Sequence, residues 1–183
     1  MKFIETKIKD LIIIEPVVFG DDRGYFFESY IQKKFKGNLG NISFVQDNES
    51  KSFKGVLRGL HFQKPPFEQA KLVRCIKGKV LDVAVDIRKE SKTFGKYLTV
   101  ELSEENKRQL FIPRGFAHGF LALSDYAIVT YKVDNVYAPK YDAGIKWNDK
   151  ELNIDWGIEY SQVFVSEKDS NLPYLTDFKS PFD

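Results

Sequence analysis

Apolar and polar side chains alternate with a period of two in many short stretches of the chain, and the clearest example runs from residue 80 to residue 87. One set of alternating positions is wholly aliphatic and the other contains two aspartates: Leu81, Val83, Val85 and Ile87, against Val80, Asp82, Ala84 and Asp86. A period of two places successive side chains on opposite faces of a β-strand. We therefore predict a strand with one buried face, and a structural or subunit-contact role for the two aspartates.

Similar strand-like stretches recur along the first three quarters of the chain. They lie near residues 11–18, 24–28, 42–46, 55–63, 70–77, 96–102, 109–112, 116–123 and 126–133. About ten short strands, rich in aromatic and β-branched residues and separated by turns, are typical of an all-β sandwich or barrel. Short helices are predicted only around 30–35 and around 103–108, where Ser103 precedes two glutamates as at a helix N-terminus. After residue 140 the pattern weakens, which predicts loops packed over a sheet.

Composition narrows the class of protein. The 183 residues suit one domain, 1–183, and 28 basic against 26 acidic residues leave a net charge of only +2. Charges so evenly balanced argue against nucleic-acid or membrane partners. The chain has one cysteine, Cys75, and no apolar run of membrane-spanning length or signal peptide, so we expect a cytoplasmic protein with a buried, structural thiol.

His61 and His118 are the only histidines of the chain, and each lies in a glycine-bounded apolar run. Histidine is the one side chain whose ordinary pKa is close to neutrality. Two histidines held in strand-like segments therefore point to proton transfer or to metal binding.

The two histidine segments resemble the paired motifs of the cupin superfamily, a double-stranded β-helix barrel. Metal-binding cupins normally have a second histidine two positions after the first, where this chain has Gln63. A metal would then depend on His61, His118 and Glu68 alone, and catalytic zinc or iron sites usually have at least three strong protein ligands. We therefore favour a metal-free site and keep a metal site as the alternative.

Strand alternation offers a metal-free use for the same segments. If the inward faces hold His61, His118, Lys71 and Tyr131, a small barrel would gather a base, a cation and a phenol in its mouth. Such a set could remove a proton next to a carbonyl and stabilise the resulting enolate. Each residue alone could equally be a hydrogen-bonded core residue, so the prediction depends on all four together.

The alternation in residues 55–63 has one open point. Strict alternation groups His61 with Leu57 and Gln63 and sends Arg58 to the opposite face. A bulge at Gly59 would reverse this and bring Arg58 to the side of His61. The sequence does not decide between the two arrangements.

A series of blocks along the chain resembles the dTDP-4-dehydrorhamnose 3,5-epimerase family. The blocks are Phe19–Glu28, Phe44–Asn48, Gly55–His61, Lys71–Val73, Asp82–Arg88, Phe94–Gly95, Ile112–Phe120, Tyr131–Lys132 and Ser166–Asp169. The resemblance implies a cupin-type jelly-roll barrel, a homodimer, and no metal or organic cofactor. It also implies a nucleotide-linked sugar as the substrate.

The resemblance also implies a role for individual residues. His61 corresponds to the general base, and Asp169 to the carboxylate that orients its imidazole. Tyr131 corresponds to the acid that delivers a proton from the opposite face of the sugar. Lys71 corresponds to the lysine beside the ketone oxygen, where its positive charge would stabilise an enolate.

The remaining site residues correspond to positions that contact the substrate. Among them His118 is a pocket histidine, Tyr137 is the aromatic residue that stacks on thymine, and Asp142 stands where the family pattern has a longer glutamate. The full set is Arg23, Glu28, Gln46, Asn48, Arg58, His118, Tyr137, Asp142 and Lys168.

These implications lead to one main hypothesis and three rivals. The main hypothesis is a cofactor-independent epimerase that inverts carbons 3 and 5 of dTDP-4-dehydro-6-deoxy-D-glucose. A close rival inverts only one carbon or acts on another nucleotide-linked 4-keto sugar. A non-catalytic sugar-binding cupin and a metal-dependent cupin enzyme are the alternatives from other classes.

Overall fold

The structure is a computed structural model that describes residues 1–182; Asp183, the last residue of the predicted domain, lies outside the described residues. The regular secondary structure is mostly β-strand, as predicted. Within residues 1–182 the strands are β1 (Lys2–Glu5), β2 (Ile12–Glu15), β3 (Phe19–Asp21), β4 (Gly24–Phe26), β5 (Gln46–Phe53), β6 (Leu57–Gln63), β7 (Lys71–Lys77), β8 (Lys79–Asp86), β9 (Tyr97–Ser103), β10 (Gln109–Ile112), β11 (Phe116–Ala122), β12 (Tyr126–Val133) and β13 (Asp142–Gly144).

Helical structure is limited to short segments. The α-helices of the described chain are α1 (Gln32–Leu39) and α2 (Glu167–Ser170), and single turns of 3₁₀ helix occupy Pro139–Tyr141, Tyr160–Gln162 and Leu175–Asp177. The predicted helix around 30–35 is confirmed as α1, shifted toward its C-terminal side. Helix α1 packs the buried ring of Phe35 against Ile14, Leu72 and Phe111 of the sheet beneath it.

Two antiparallel sheets form the body of the molecule. The larger sheet has the order β1-β2-β10-β7-β12-β5, and the smaller has the order β13-β6-β11-β8-β9. Among residues 1–182, strands β3 and β4 pair only with each other and form a separate hairpin. Strands β6 and β11 belong to the smaller sheet, and β7 and β12 belong to the larger one. Side chains from distant parts of the sequence therefore meet between the two sheets.

Apolar side chains fill the space between the sheets and also cover the outer face of the smaller one. The inner core includes Val73, Phe120 and Val129, which come from both sheets. On the outer face, Trp147 and Trp156 of the C-terminal region pack against β8 and β11. The prediction that the chain after residue 140 packs over a sheet is confirmed, although β13 and α2 within it were not predicted.

Strand β8 is buried on both faces, which corrects the prediction of a single buried face. Its aliphatic set packs against the C-terminal region, while Val80 and Ala84 face the inner core. Asp82 and Asp86 are fully buried. Asp86 accepts hydrogen bonds from Arg88 and so has the structural role that was predicted for it.

Two predicted elements are wrong. Residues 104–106 form a turn and not a helix, because Ser103 is the last residue of β9 and its Oγ accepts a hydrogen bond from the Asn106 amide. The strand predicted near 42–46 begins only at Gln46 and continues to Phe53. That strand was missed because its sequence is almost entirely polar.

The thiol of Cys75 is buried, as predicted, and burial raises its pKa to about 11. No helix within residues 1–182 is long and apolar enough to cross a membrane.

Candidate active site

A cavity of about 560 Å³ opens between the two sheets and is lined by all four predicted catalytic residues. An adjoining cavity of about 350 Å³ shares four lining side chains with it. The shared side chains are those of His61, Lys71, Tyr131 and Lys168. Of the other predicted residues, the larger cavity adds Arg58, His118 and Asp169, and the smaller adds Gln46, Asn48, Tyr137 and Asp142.

The candidate general base, His61, and the candidate general acid, Tyr131, lie on opposite sheets, which form the facing walls of the cavity. His61 lies on β6 and His118 on β11, both in the smaller sheet. Lys71 lies on β7 and Tyr131 on β12, both in the larger sheet. A flat ligand held between the walls would therefore have the imidazole of His61 on one side and the phenol of Tyr131 on the other.

A register shift between β6 and β11 decides the position of Arg58. His118 is opposite His61, and Phe120 is opposite Arg58, so two residues of β6 oppose the single Gly119 of β11. This is the arrangement of a β-bulge, which reverses the alternation of side chains. Arg58 consequently lies on the same side as His61 and lines the same cavity.

The bulge requires glycine on both strands. Gly59 has a φ of +132°, and a Cβ on it would lie 2.5 Å from Gly119 Cα. Leu57, which precedes the bulge, and Leu60, which lies in the bulge, both pack in the apolar cluster on the outer face of the smaller sheet. The prediction that Leu57 shares a face with His61 is therefore wrong.

The imidazole of His61 is held by a buried carboxylate. His61 Nε2 lies 2.7 Å from Asp169 Oδ1, and Asp169 Oδ2 accepts a hydrogen bond from the Gly59 amide at 3.2 Å. Burial alone would raise the pKa of Asp169, but the hydrogen bond and charge of His61 outweigh it and the pKa is lowered. Asp169 is thus an anion fitted to orient and stabilise a protonated imidazole.

Asp169 reaches His61 because the C-terminal segment docks beside the start of β6. The Phe164 amide donates to the Gly55 carbonyl, and the Leu57 amide donates to the Phe164 carbonyl. Directly after this bridge, Ser166 caps α2 by accepting a hydrogen bond from the Asp169 amide. The bridge and the cap together fix the backbone that carries the carboxylate.

Lys71 is buried between the sheets and has no carboxylate within salt-bridge distance among the described residues. Its Nζ lies 3.5 Å from the His61 carbonyl oxygen. Burial lowers the pKa of Lys71 to about 8, although the charges of Asp82 and Asp142 act in the opposite direction. The side chain is therefore mainly cationic at neutral pH and can stabilise a negative charge that forms nearby.

Tyr131 presents its phenol to both cavities. Burial raises the pKa of Tyr131, and the nearby charge of Arg58 only partly opposes this. The phenol therefore keeps its proton at neutral pH, as a general acid must before it acts.

Sequence reasoning missed Asp82 as a partner of His118. His118 Nε2 lies 2.9 Å from Asp82 Oδ2 and 3.0 Å from Oδ1, and both residues are buried. Burial lowers the pKa of His118, and Asp82 opposes this without reversing it. The sequence did contain a signal, because Asp82 shares a strand face with the apolar residues Val80 and Ala84. A carboxylate buried on such a face needs a hydrogen-bond donor as its partner.

The polar residues of the smaller cavity form a linked group. Lys168 forms an ion pair with Asp142, and the Tyr137 hydroxyl donates to the same carboxylate at 3.1 Å. Gln46 Oε1 accepts from the Tyr137 amide, and Gln46 Nε2 donates to Asn48 Oδ1 at 2.8 Å. Asp142, shorter than the glutamate of the family pattern, is occupied by these internal contacts.

Two predicted substrate contacts lie outside both cavities. Arg23 is on the β3–β4 hairpin with its side chain 89% exposed and paired with Asp21, and Glu28 is exposed and paired with Lys34. The structure does not bring either residue to the cavities of its own chain.

The residues considered for a metal site are engaged elsewhere. Glu68 Oε1 lies 3.3 Å from Arg114 Nη1, while the two histidines are hydrogen-bonded to Asp169 and Asp82. Within residues 1–182 no group of three or more His, Cys, Asp or Glu side chains is arranged to hold a metal ion.

Comparison with known proteins gives the same assignment as the sequence blocks. The sequence profile described as dTDP-4-dehydrorhamnose 3,5-epimerase matches residues 5–177. The chain belongs to the dTDP-4-dehydrorhamnose 3,5-epimerase family. A curated relative of that name from Shigella flexneri is 56% identical over 172 residues, covering 93% of this chain and 94% of its own length.

Solved structures of the epimerase family share the fold closely. A crystal structure of dTDP-4-dehydrorhamnose 3,5-epimerase from Elizabethkingia anophelis has a TM-score of 0.93 and 54% identity and covers 97% of each chain. A Legionella pneumophila structure, described as dTDP-6-deoxy-D-glucose-3,5-epimerase in complex with dTDP-4-keto-L-rhamnose, has a TM-score of 0.93 and 48% identity. It covers 97% of this chain and 94% of the other. The predicted all-β, cupin-type fold of the epimerase family is confirmed.

Proposed function

We propose that the protein inverts carbons 3 and 5 of dTDP-4-dehydro-6-deoxy-D-glucose to give dTDP-4-dehydro-L-rhamnose. The observation that carries the proposal is the position of His61, held by Asp169, on the wall opposite Tyr131. Family membership at 56% identity and the complex of the Legionella relative support this choice of substrate.

The chemistry of a 4-keto sugar matches this pair of walls. Carbons 3 and 5 are both adjacent to the ketone, so loss of a proton from either gives an enolate. In our proposal His61 removes the proton from one face, and Tyr131 returns one from the other face, which inverts the centre. The reaction is proposed to need no cofactor, because no electron is transferred and the enolate charge falls beside Lys71.

The nucleoside is proposed to occupy the smaller cavity and its rim, and the diphosphate to lie beside Arg58 of the larger cavity. The ring of Tyr137 is 54% exposed at that rim and is free to stack on a base. Arg58 projects into the larger cavity, where its guanidinium could donate two hydrogen bonds to a diphosphate. The sugar would then lie between His61 and Tyr131, where the two cavities share their walls.

We propose a homodimer in which the β3–β4 hairpin reaches the second subunit. Its aromatic side chains are unusually exposed, at 63% for Phe19, 60% for Tyr25 and 66% for Phe26. Large exposed apolar patches on a single chain commonly mark an interface. Such an interface would also give Arg23 and Glu28, which lie outside the cavities of their own chain, a route to the partner's substrate.

Two further predictions accompany this proposal. The chain is proposed to act as one domain, and its location is proposed to be cytoplasmic, since its lone cysteine cannot form an internal disulfide.

Isotope exchange tests the proposed activity directly. The purified protein is incubated with dTDP-4-dehydro-6-deoxy-D-glucose in D₂O, and deuterium at carbons 3 and 5 is followed by NMR. Incorporation at both positions, with formation of the L-lyxo ketosugar, is the expected result. Incorporation at one position only would identify a mono-epimerase, and no exchange at either would reject the proposal.

A further inference from the structure

The inward face of β5 is a row of polar side chains along the two cavities. Alternate residues of the strand are half-buried or buried, and the residues between them are exposed. Gln46 and Asn48 line the smaller cavity, and Ser50 lines the larger one. The next residue of the row, Ser52, is only 2% exposed and contacts Arg58 instead.

Ser52 and the neighbouring backbone hold two of the three guanidinium nitrogens of Arg58. Arg58 Nε donates to Ser52 Oγ at 2.9 Å, and Arg58 Nη2 donates to the Lys51 carbonyl at 3.2 Å. The third nitrogen, Nη1, donates no hydrogen bond within residues 1–182, so it can donate to a ligand. The side chain is therefore fixed along one edge and open along the other.

Both acceptors that hold Arg58 are neutral oxygens. By contrast, Arg88 and Arg114 each pair with carboxylates, and Arg58 forms no salt bridge within the described residues. A carboxylate in place of Ser52 would compete with an incoming anion for the guanidinium. A serine hydroxyl orients the group and leaves its positive charge uncompensated.

Fixing this arginine in advance has a consequence for affinity. Arg58 is an exposed side chain with many rotamers, and ordering it on binding would weaken the complex. The contact with Ser52 orders it before the ligand arrives. The effect belongs to binding of the anionic part of the substrate and not to proton transfer at the sugar.

We propose that Ser52 is a positioning residue that holds the Arg58 guanidinium for the diphosphate of the substrate. The inference rests on the proposed function, because it takes the anion to be a nucleoside diphosphate. Ser52 does not touch the substrate in this proposal and acts only through Arg58.

Calorimetric titration with dTDP tests the proposal on four forms of the protein: wild type, Ser52→Ala, Arg58→Ala and the double variant. Loss of one charge-assisted hydrogen bond predicts about tenfold weaker dTDP binding for Ser52→Ala. Arg58→Ala should bind more weakly still, and adding Ser52→Ala to it should change nothing further. With the sugar nucleotide, Ser52→Ala should raise KM by a similar factor and leave kcat within about twofold.

Two more variants separate the hydrogen bond from packing. Ser52→Thr keeps the hydroxyl and should bind dTDP within about threefold of wild type. Ser52→Cys keeps nearly the same volume but offers a poor acceptor, so it should show the loss seen with alanine. It also replaces Ser52→Ala in the titration if that variant does not fold.

Three results would overturn the inference. Wild-type dTDP affinity in Ser52→Ala, with loss in Arg58→Ala, would reject the role of Ser52 and leave the proposed function standing. A further tenfold loss in the double variant would show that Ser52 acts independently of Arg58. Unchanged affinity in Arg58→Ala would reject both the anion role of Arg58 and the inference, while the deuterium experiment decides the activity separately.

Discussion

His61 Nε2 lies 2.7 Å from Asp169 Oδ1, and this contact joins a strand of the smaller sheet to the short helix α2 near the C-terminus. With its Nε2 proton directed at the carboxylate, the imidazole has Nδ1 as its unprotonated, basic nitrogen. Asp169 also stabilises the imidazolium that forms once His61 has taken a proton. The pair therefore has the geometry of an oriented general base.

Replacing the base should separate catalysis from binding. We expect His61→Ala to abolish turnover and leave dTDP affinity nearly intact, because the imidazole is proposed to act on the sugar and not on the nucleotide. Steady-state kinetics and dTDP titration measure the two effects. A variant that keeps more than about a tenth of the wild-type rate would remove His61 from this role, given the typical 10²–10⁴-fold contribution of such a group.

Asp169→Asn should lower kcat by about 10²-fold or more while the fold is retained. The amide can present its NH₂ to Nε2, which favours the wrong tautomer and removes the charge that stabilises the imidazolium. Unfolding temperature is the control for structure. Wild-type kcat in this variant would show that His61 works without an oriented tautomer.

The buried cation predicts an alkaline limit on activity. Burial lowers the pKa of Lys71 to about 8, so its positive charge is present below that pH and is lost above it. If the cation stabilises the enolate, kcat/KM should fall about tenfold per pH unit above about pH 8. Rate measurements from pH 6 to pH 10 report this pKa for the free enzyme.

Substitution of Lys71 identifies the group behind that limit. Lys71→Arg keeps a charge that does not titrate in this range, so the alkaline decline should disappear at a lower overall rate. Burial raises the pKa of Tyr131, which moves loss of the phenolic proton to higher pH, away from the decline attributed to Lys71. An unchanged decline in the arginine variant would assign the limit to another group.

Tyr131→Phe should uncouple proton exchange from inversion. The variant keeps His61 and Lys71, so a proton can still leave and return on the face of the base. Without the phenol on the opposite wall, inversion should fall by about 10²–10⁴-fold. NMR in D₂O should then show deuterium in the starting sugar faster than the L-sugar appears. Equal losses of exchange and inversion would contradict the separate roles of the two walls.

The alternation of side chains made much of the barrel predictable, because a strand with a buried face leaves a period of two in the sequence. It failed where that signal is absent. Strand β5 is almost entirely polar, since its inward residues face cavities and not the core. Ser103 is followed by two glutamates, as at the start of a helix, but its hydroxyl caps a turn that follows β9.

The site shows the same limit. Lys71 and Tyr131 lie where β7 and β12 pair regularly, outside the register shift between Ile128 and Val129, so their inward positions were predictable from the alternation. The position of Arg58 depends on a bulge, which needs knowledge of the partner strand and of Gly119. Asp169 reaches His61 through contacts between residues 108 positions apart, and no local pattern encodes those contacts. For these residues the family resemblance supplied what periodicity could not.

Dimerisation predicts a solution mass of about twice 21.2 kDa by light scattering. Phe19→Ser combined with Phe26→Ser should shift the protein toward the monomer, because burial of these exposed rings would drive association. Phe94→Ser, at a ring 40% exposed elsewhere on the surface, is the matched control. A monomeric wild-type protein would overturn the proposed assembly.

Complementation tests whether Arg23 serves the partner's cavity. Co-expression of Arg23→Ala and His61→Ala subunits, with different tags for isolating the mixed dimer, gives one cavity that has both an intact His61 and an intact partner Arg23. Activity near half that of wild type at low substrate concentration is then expected. If Arg23 acts in its own chain, the mixed dimer has no complete cavity and should stay as impaired as its parents.

The bulge that directs Arg58 inward should be intolerant of any side chain at its glycines. In Gly59→Ala the new Cβ would meet Gly119 Cα at 2.5 Å and the His118 carbonyl oxygen at 2.9 Å, at a φ of +132°. We expect a loss of at least about 2 kcal/mol in the free energy of unfolding. Binding of dTDP should weaken as well, because relief of the clash must shift the backbone beside Arg58.

Gly37→Ala is the control for this substitution. Gly37 lies in α1, and a Cβ there meets no atom within 4 Å, so the change should stabilise the protein by about 0.5–1 kcal/mol. Urea unfolding measures both variants, and calorimetry measures their dTDP affinity. If Gly59→Ala were as stable as wild type and bound dTDP equally well, β6 could adopt its register without glycine, and the bulge would not be what positions Arg58. A loss of stability and affinity in Gly59→Ala alone would tie the backbone of β6 and β11 to the binding of the substrate.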